Sequence, residues 1–257
     1  MPRIRLTLEY DGTDFVGWQR QPNGRSVQEV LETALAELLG GPVPTAAAGR
    51  TDAGVHALGQ LVAFDAPRPL PTKAYVRGLS SLLPPDVAVV AAEEAPEGFD
   101  PRRWATGKRY RYLVSRRACR APLQRRTHWE VFTALDVGEM RAAAPALLGT
   151  HDFSSFRAAD CEASHPRRTL RELTLHEEGE VLRLEVEGTA FLKHMVRNIV
   201  GSLVEVGRGK RPPEWVGEVL AARDRTLAGP TAPAHGLTLV SVSYGDGPRP
   251  RSQGAGT

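Results

Sequence analysis

Only two cysteines, three methionines and four lysines occur in 257 residues, and 6% of the chain is aromatic. Cys119 and Cys161 stand 42 residues apart with no second Cys or His at ligand spacing, which argues against a disulfide framework or a zinc site. No run of eighteen apolar residues occurs, and the N-terminus MPRIRLTLEY lacks a signal-peptide core, so neither a membrane span nor export is indicated and a cytoplasmic protein is expected. HExxH, Walker-loop, EF-hand and nucleophile-elbow patterns are missing as well. Metal and cofactor chemistry therefore have no support in the sequence, and none is expected.

What is present is a globular composition, 41% hydrophobic and 25% charged, of a size for one or two domains. The formal charge is only +3, but it is unevenly placed. Between Arg102 and Arg126 lie nine Arg and one Lys without a single acid, so this window carries +10 and leaves about −7 for the rest. Arginine supplies nearly all the positive charge, and its planar fork suits phosphate and stacking contacts. Trp104, Tyr110 and Tyr112 interleave the cations, the combination that phosphate neutralisation and base stacking require. A solvated basic strand would have the same charge; the aromatics favour a polyanionic partner. Arg102, Arg103, Lys108, Arg109, Arg111, Arg116, Arg117 and Arg120 are the candidate contacts to it.

The pattern along the chain reads β-α-β-β-α-β twice. Alternation in Ile4, Leu6, Leu8 and Tyr10 marks a strand. Ser26 with Glu29 starts a helix that Gly40 and Gly41 stop. Strands at 43–48 and 58–64, a helix at 72–83 and a strand at 87–92 complete the first half. The second half reads as a strand at 108–115, a helix at 137–148, strands at 170–176 and 181–186, a helix at 191–206, an inserted helix at 213–222 and a strand at 237–242. We expect an α+β protein of two split-βαβ halves, residues 1–104 and 105–245, with mainly antiparallel sheets side by side, a groove between them, and a disordered tail at 246–257.

Two places could carry chemistry. In the loop AGRTDAGVHALGQ, glycines at 49 and 54 let backbone approach closely while Arg50 and Asp52 project together. The apolar helix FLKHMVRNIVGSL is expected to be substantially buried; its Arg197 either reaches out to the surface or, if buried with the helix, needs a carboxylate. His56 has no third ligand at useful spacing and reads as structural.

These residues resemble the tRNA pseudouridine synthase A family. The resemblance rests on GTDFVGWQRQP from Gly12, SVQEVLETAL from Ser26, AGRTDAGVHALGQ from Ala48, GKRYRY from Gly107, HDFSSF from His151, FLKHMVRNIVGSLVEVG from Phe191 and APAHGLTLVSVSY from Ala232. It implies a homodimer that converts uridines 38, 39 and 40 in the anticodon stem-loop of tRNA to pseudouridine without a cofactor, with two ferredoxin-like halves flanking a cleft. It also implies Asp52 as the catalytic aspartate, Tyr110 as the tyrosine that stacks on the target base, Arg197 as the partner of the aspartate, and Arg50 as an arginine that displaces the target nucleotide. Lys193 with His194, ahead of MVRN, is one departure, at a place where family members vary between aromatic and polar residues; it leaves the outer face of this helix open and does not touch its chemistry.

The chemistry agrees with this residue set. Pseudouridylation breaks the N1–C1′ bond, turns the uracil and rejoins it through C5. Uracil leaves as a stabilised anion, so the second, acid carboxyl of a sugar hydrolase is not required. Asp52 either attacks C1′ or removes the C2′ proton, and both routes need it ionised. A phenol at 110 could also assist loss of the C5 proton. The alternatives from other classes are a noncatalytic RNA-binding protein and a sugar-cleaving hydrolase.

Overall fold

Ile4, Leu6, Leu8 and Tyr10 all turn to one side of the first strand and are at most 3% exposed, as their alternation predicts. In the computed structural model, which describes residues 1–247, this strand is β1 (Arg3–Tyr10). It is followed by α1 (Val27–Leu39), β2 (Ala46–Ala47), β3 (His56–Asp65), α2 (Thr72–Leu82) and β4 (Val87–Glu94). Ser26 caps α1 by accepting the Glu29 N–H at 3.3 Å, and Gly40 ends it in the left-handed region at φ 83°. The expected strand at 43–48 shrinks to the two residues of β2 because Pro42 and Pro44 have no N–H to donate.

The second half comprises β5 (Ala105–Ser115), β6 (Trp129–Glu130), α3 (Val137–Ala143), β7 (Gly149–Asp152), β8 (Arg167–Glu178), β9 (Val181–Gly188), α4 (Met195–Gly207), α5 (Trp215–Ala222) and β10 (Leu237–Tyr244). Three expectations change here. The helix expected over 137–148 passes into a 3-10 turn at Ala144, where Pro145 interrupts the α-helical ladder. Strands β6 and β7 lie in stretches where no element was expected. The helix expected from 191 begins only at Met195: Thr189 still bonds Thr169 as sheet, and Phe191 lays its ring edge-on to Tyr110 at 5.1 Å. The segment expected to be disordered lies outside the described residues from 248 onward.

The larger correction concerns the sheets. The two expected sheets are joined edge to edge: the strands form one ten-stranded sheet in the order β4-β1-β3-β10-β5-β9-β8-β7, with β2 on β3 and β6 on β5. Most pairs are antiparallel; β10–β3 and β5–β6 are parallel. The joint is β10, which sets Leu239 between Ala57 on β3 and Tyr110 on β5. Because Asp52 precedes β3 by only a few residues, this register brings its loop close to Tyr110. Helices cover one face: Leu31, Leu35, Tyr75 and Leu79 from α1 and α2, and Ile199, Val200 and Leu203 from α4, are fully buried in one cluster with the apolar residues of β1, β5 and β9.

Candidate active site

The loop from Ala48 to Val55 is fixed at almost every residue. Ala48 N–H bonds Leu61 O at 2.8 Å, the Gln60 amide donates to Gly49 O at 2.8 Å, and Thr51 O accepts from Trp18 N–H at 3.1 Å. The Thr51 hydroxyl meets that of Tyr10 at 2.8 Å, and Val55 N–H closes a turn on Asp52 O at 3.2 Å, with Gly54 at φ 77°. Residue 17 must be glycine: it sits at φ 111°, and a Cβ there would stand 2.7 Å from Thr51 O. The GTDFVGWQ stretch thus braces the loop. His56 continues the bracing from its own buried position, accepting Gly12 N–H on Nδ1 at 3.0 Å and placing Nε2 2.7 Å from Arg126 O. It is structural, as expected.

The Asp52 side chain is 24% exposed and faces the start of α4. Its Oδ2 lies 3.3 Å from Arg197 Nη1 and 3.6 Å from His194 Nε2. Arg197 is held at its other end, where Nε donates to Ala232 O at 2.8 Å, and Ala232 N–H returns a bond to Arg197 O at 3.1 Å. The expected pairing of the buried arginine with Asp52 is therefore present. His194 was missed: the sequence reading gave it no role at the site, yet it stands at the N-cap of α4, in the left-handed region at φ 62°, beside Asp52. No local pattern announces such a contact. Among the described residues, no three His, Cys, Asp or Glu side chains gather to hold a metal ion.

Tyr110 projects from β5 toward the same place and is 7% exposed. Burial, with lesser contributions from Tyr10 and Asp52, pushes its phenol well above the ordinary tyrosine range. The phenol therefore stays protonated at neutral pH and has its O–H to donate. Lys108, on the same strand, brings its ammonium against the backbone of Gly49. Arg50 points outward instead, 61% exposed, with Nε bonded to Gln19 at 3.1 Å and Nη1 3.2 Å from Glu162. Nearby, Lys193 Nζ lies 2.6 Å from Asp160, which holds that carboxyl below its ordinary range.

Much of the basic window is neutralised within the fold. Side chains alternate along β5, so Arg109 and Arg111 leave the face opposite Tyr110. There Arg109 meets Glu172 at 2.8 Å and Glu187 at 2.6 Å, and Arg111 meets Glu185 at 2.8 Å. Arg116 and Arg117 pair with Glu177 and Glu180. Arg102, Arg103 and Arg120 are exposed and carry no ion pair among the described residues.

Comparison with known proteins agrees with this geometry. A family model described as tRNA pseudouridine synthase matches residues 7–102 and 143–245. The chain is 63% identical over 258 residues to tRNA pseudouridine synthase A of Myxococcus xanthus, covering all of this chain and 97% of that protein. It is 51% identical over 244 residues to the protein of that name from Geobacter sulfurreducens, covering 95% of this chain and all of the other. A chain in a structure titled Crystal Structure of a Cbf5-Nop10-Gar1 Complex overlaps 78% of this chain and 45% of itself at a TM-score of 0.36 and 11% identity, too slight a likeness to carry an argument. With the family model spanning most of both halves and near relatives matching from end to end, the chain belongs to the tRNA pseudouridine synthase family.

Proposed function

We propose that the protein isomerises uridine to pseudouridine at positions 38, 39 and 40 of the tRNA anticodon stem-loop, with Asp52 as its catalytic carboxylate and no cofactor. The observation that carries this reading is the Asp52–Arg197 pair, held at 3.3 Å beside the buried Tyr110, in a chain of this family. Arg197 sets its positive charge 3.3 Å from the carboxylate that would attack C1′ or remove the C2′ proton. Extruding a uridine from its stack costs a few kcal/mol, part of which an aromatic platform at Tyr110 returns. Arg50, exposed two residues before Asp52, would take a phosphate or the vacated position of the target nucleotide.

The architecture supports the same reading. In the first half the strands run β4-β1-β3-β2; in the second, with the short β6 and β7 set aside, the remaining four run β10-β5-β9-β8, again fourth, first, third, second. Two ferredoxin-like halves, 1–104 and 105–245, related by a pseudo-twofold axis, account for that order, with the cleft where Asp52 from one half meets Tyr110 and Arg197 from the other. We take the working unit to be a cytoplasmic homodimer, as the resemblance implies. Among the described residues no helix is long and apolar enough to cross a membrane.

Incubating purified protein with an unmodified tRNA transcript, without added cofactor, and mapping the product by carbodiimide primer extension tests this function. Pseudouridine at 38–40 is the expected result; free uracil would indicate a hydrolase, and binding without product a noncatalytic RNA-binding protein. The charge pairing makes a separate prediction. Replacing Arg102, Arg103 and Arg120 by Ala should weaken tRNA binding and flatten its salt dependence by about one slope unit per lost phosphate contact. Arg109→Ala, whose guanidinium already meets two carboxylates, should leave the slope unchanged; equal slopes in both variants would remove the exposed arginines from the RNA surface.

A further inference from the structure

We propose that His194 is a positioning residue of the Asp52 site, which together with Arg197 confines Oδ2 and leaves Oδ1 as the oxygen presented to the ribose. The inference rests on the functional reading above and adds a residue and an orientation to it. Three observations converge on this residue.

The first is geometric. The imidazole Nε2 and the guanidinium Nη1 of Arg197 approach the same carboxylate oxygen, at 3.6 and 3.3 Å. At 3.6 Å the imidazole is in electrostatic contact and just beyond hydrogen-bonding range, so a small closure around substrate would complete the bond. With Oδ2 so occupied, Oδ1 is the freer oxygen for attack or proton removal.

The second is the backbone. Among the described residues only His194 and Arg223 are non-glycine residues at positive φ. Arg223 closes the C-terminus of α5, where the left-handed conformation is common. His194 instead opens a helix, at a position that ordinarily takes extended backbone, and no side chain caps α4 there. Strain of this kind persists where the surroundings hold it, and here they do: Ala158 N–H bonds Lys193 O at 2.9 Å, and Asn198 N–H bonds His194 O at 2.9 Å. The turn aims the imidazole at Asp52.

The third is charge. The groups facing His194 are Asp52 from the loop before β3, Arg197 and Lys193 from α4 and its approach, and Asp160 from the loop across from it. Desolvation lowers its pKa below the ordinary 6.5; Arg197 and Lys193 push the same way, against Asp52 and Asp160. The ring is therefore neutral at pH 7 and above, a polar contact that adds no second cation against the carboxylate. Protonation, as pH falls through this lowered pKa, would place a second positive charge on Oδ2. A carboxylate held by two cations is a weaker nucleophile and a weaker base, so either route slows.

The test is the single-turnover rate of pseudouridine formation on a tRNA transcript, followed from about pH 5 to about pH 9. The proteins compared are wild type and His194→Asn, because Asn tolerates left-handed backbone. We expect His194→Asn to lower the rate about tenfold or more at pH 8 with tRNA affinity kept within about twofold, the pattern of an interaction realised in the transition state. The acid limb expected of wild type, where His194 takes up its proton, should disappear. An unchanged rate, or a rate loss that leaves the acid limb in place, overturns the proposal and returns His194 to a structural role. If His194→Asn melts early, His194→Gly, which relieves the backbone, carries the comparison with the same expected outcomes. Failure of wild type itself to form pseudouridine would instead sink the functional reading.

Discussion

Replacing Asp52 by Asn should abolish pseudouridine formation while leaving tRNA affinity within about twofold. The substitution keeps size and shape but removes the negative charge that both candidate routes need. An amide neither attacks C1′ nor takes the C2′ proton. A loss of at least about a thousandfold is expected, equivalent to roughly 4 kcal/mol of barrier. Binding should survive because the expected phosphate contacts lie elsewhere, on exposed arginines and at the mouth of the site. Folding should survive as well: Asp52 and Arg197 remain 24% and 14% exposed, and Arg197 keeps its bond to Ala232 O. Quantitative carbodiimide mapping after single turnover, beside a filter-binding measurement, reads both quantities. A variant working within about a hundredfold of wild type would take the catalytic role from Asp52.

Gly201→Ala should destabilise the protein, although helix propensity points the other way. Alanine is favoured over glycine in a helix interior by about 1 kcal/mol, and Gly201 lies in the middle of α4. A methyl group there, however, would collide with the carbonyl oxygen of Pro230, and that atom is backbone that cannot rotate aside. The close approach serves the site, since the same strap carries Ala232, whose carbonyl holds Arg197. Gly229 N–H on the strap also donates to Ser202 of α4 at 2.9 Å. We expect a loss of about 2–4 kcal/mol, within the range of overpacked cores and backbone clashes. In a protein of this size that corresponds to a fall in Tm of roughly 5–15 °C, accompanied by loss of activity. Gly217→Ala is the control: its Cβ would meet only the Ala146 methyl, at 3.6 Å, so in α5 the propensity gain should appear. Stabilisation by Gly201→Ala would mean that the strap does not press on α4 in solution.

These two residues differ in how visible they are in sequence. Asp52 is legible because its neighbours are local: glycines and a threonine within three positions make the turn and its hydrogen bonds. Tyr110 is legible by its place in a strand and its motif. Gly201 looks like an ordinary glycine in an apolar helix, and only the strap 29 residues later makes it obligatory. The arginines of β5 show the same limit. Their charge is plain in the sequence, but the glutamates that neutralise them stand 63–78 residues away, on β8 and β9.

The sequence by itself determined the order and type of most elements, the capping of α1, the burial of α4, and the segment on which Asp52 lies. These follow from periodicity and from contacts between residues a few positions apart. The tertiary structure alone decided that the two halves share one sheet through β10, which arginines stay free, and that His194 reaches Asp52. Each of these is a pairing between residues distant in the chain, settled by strand register and by which faces pack. No local pattern of side chains encodes such a choice.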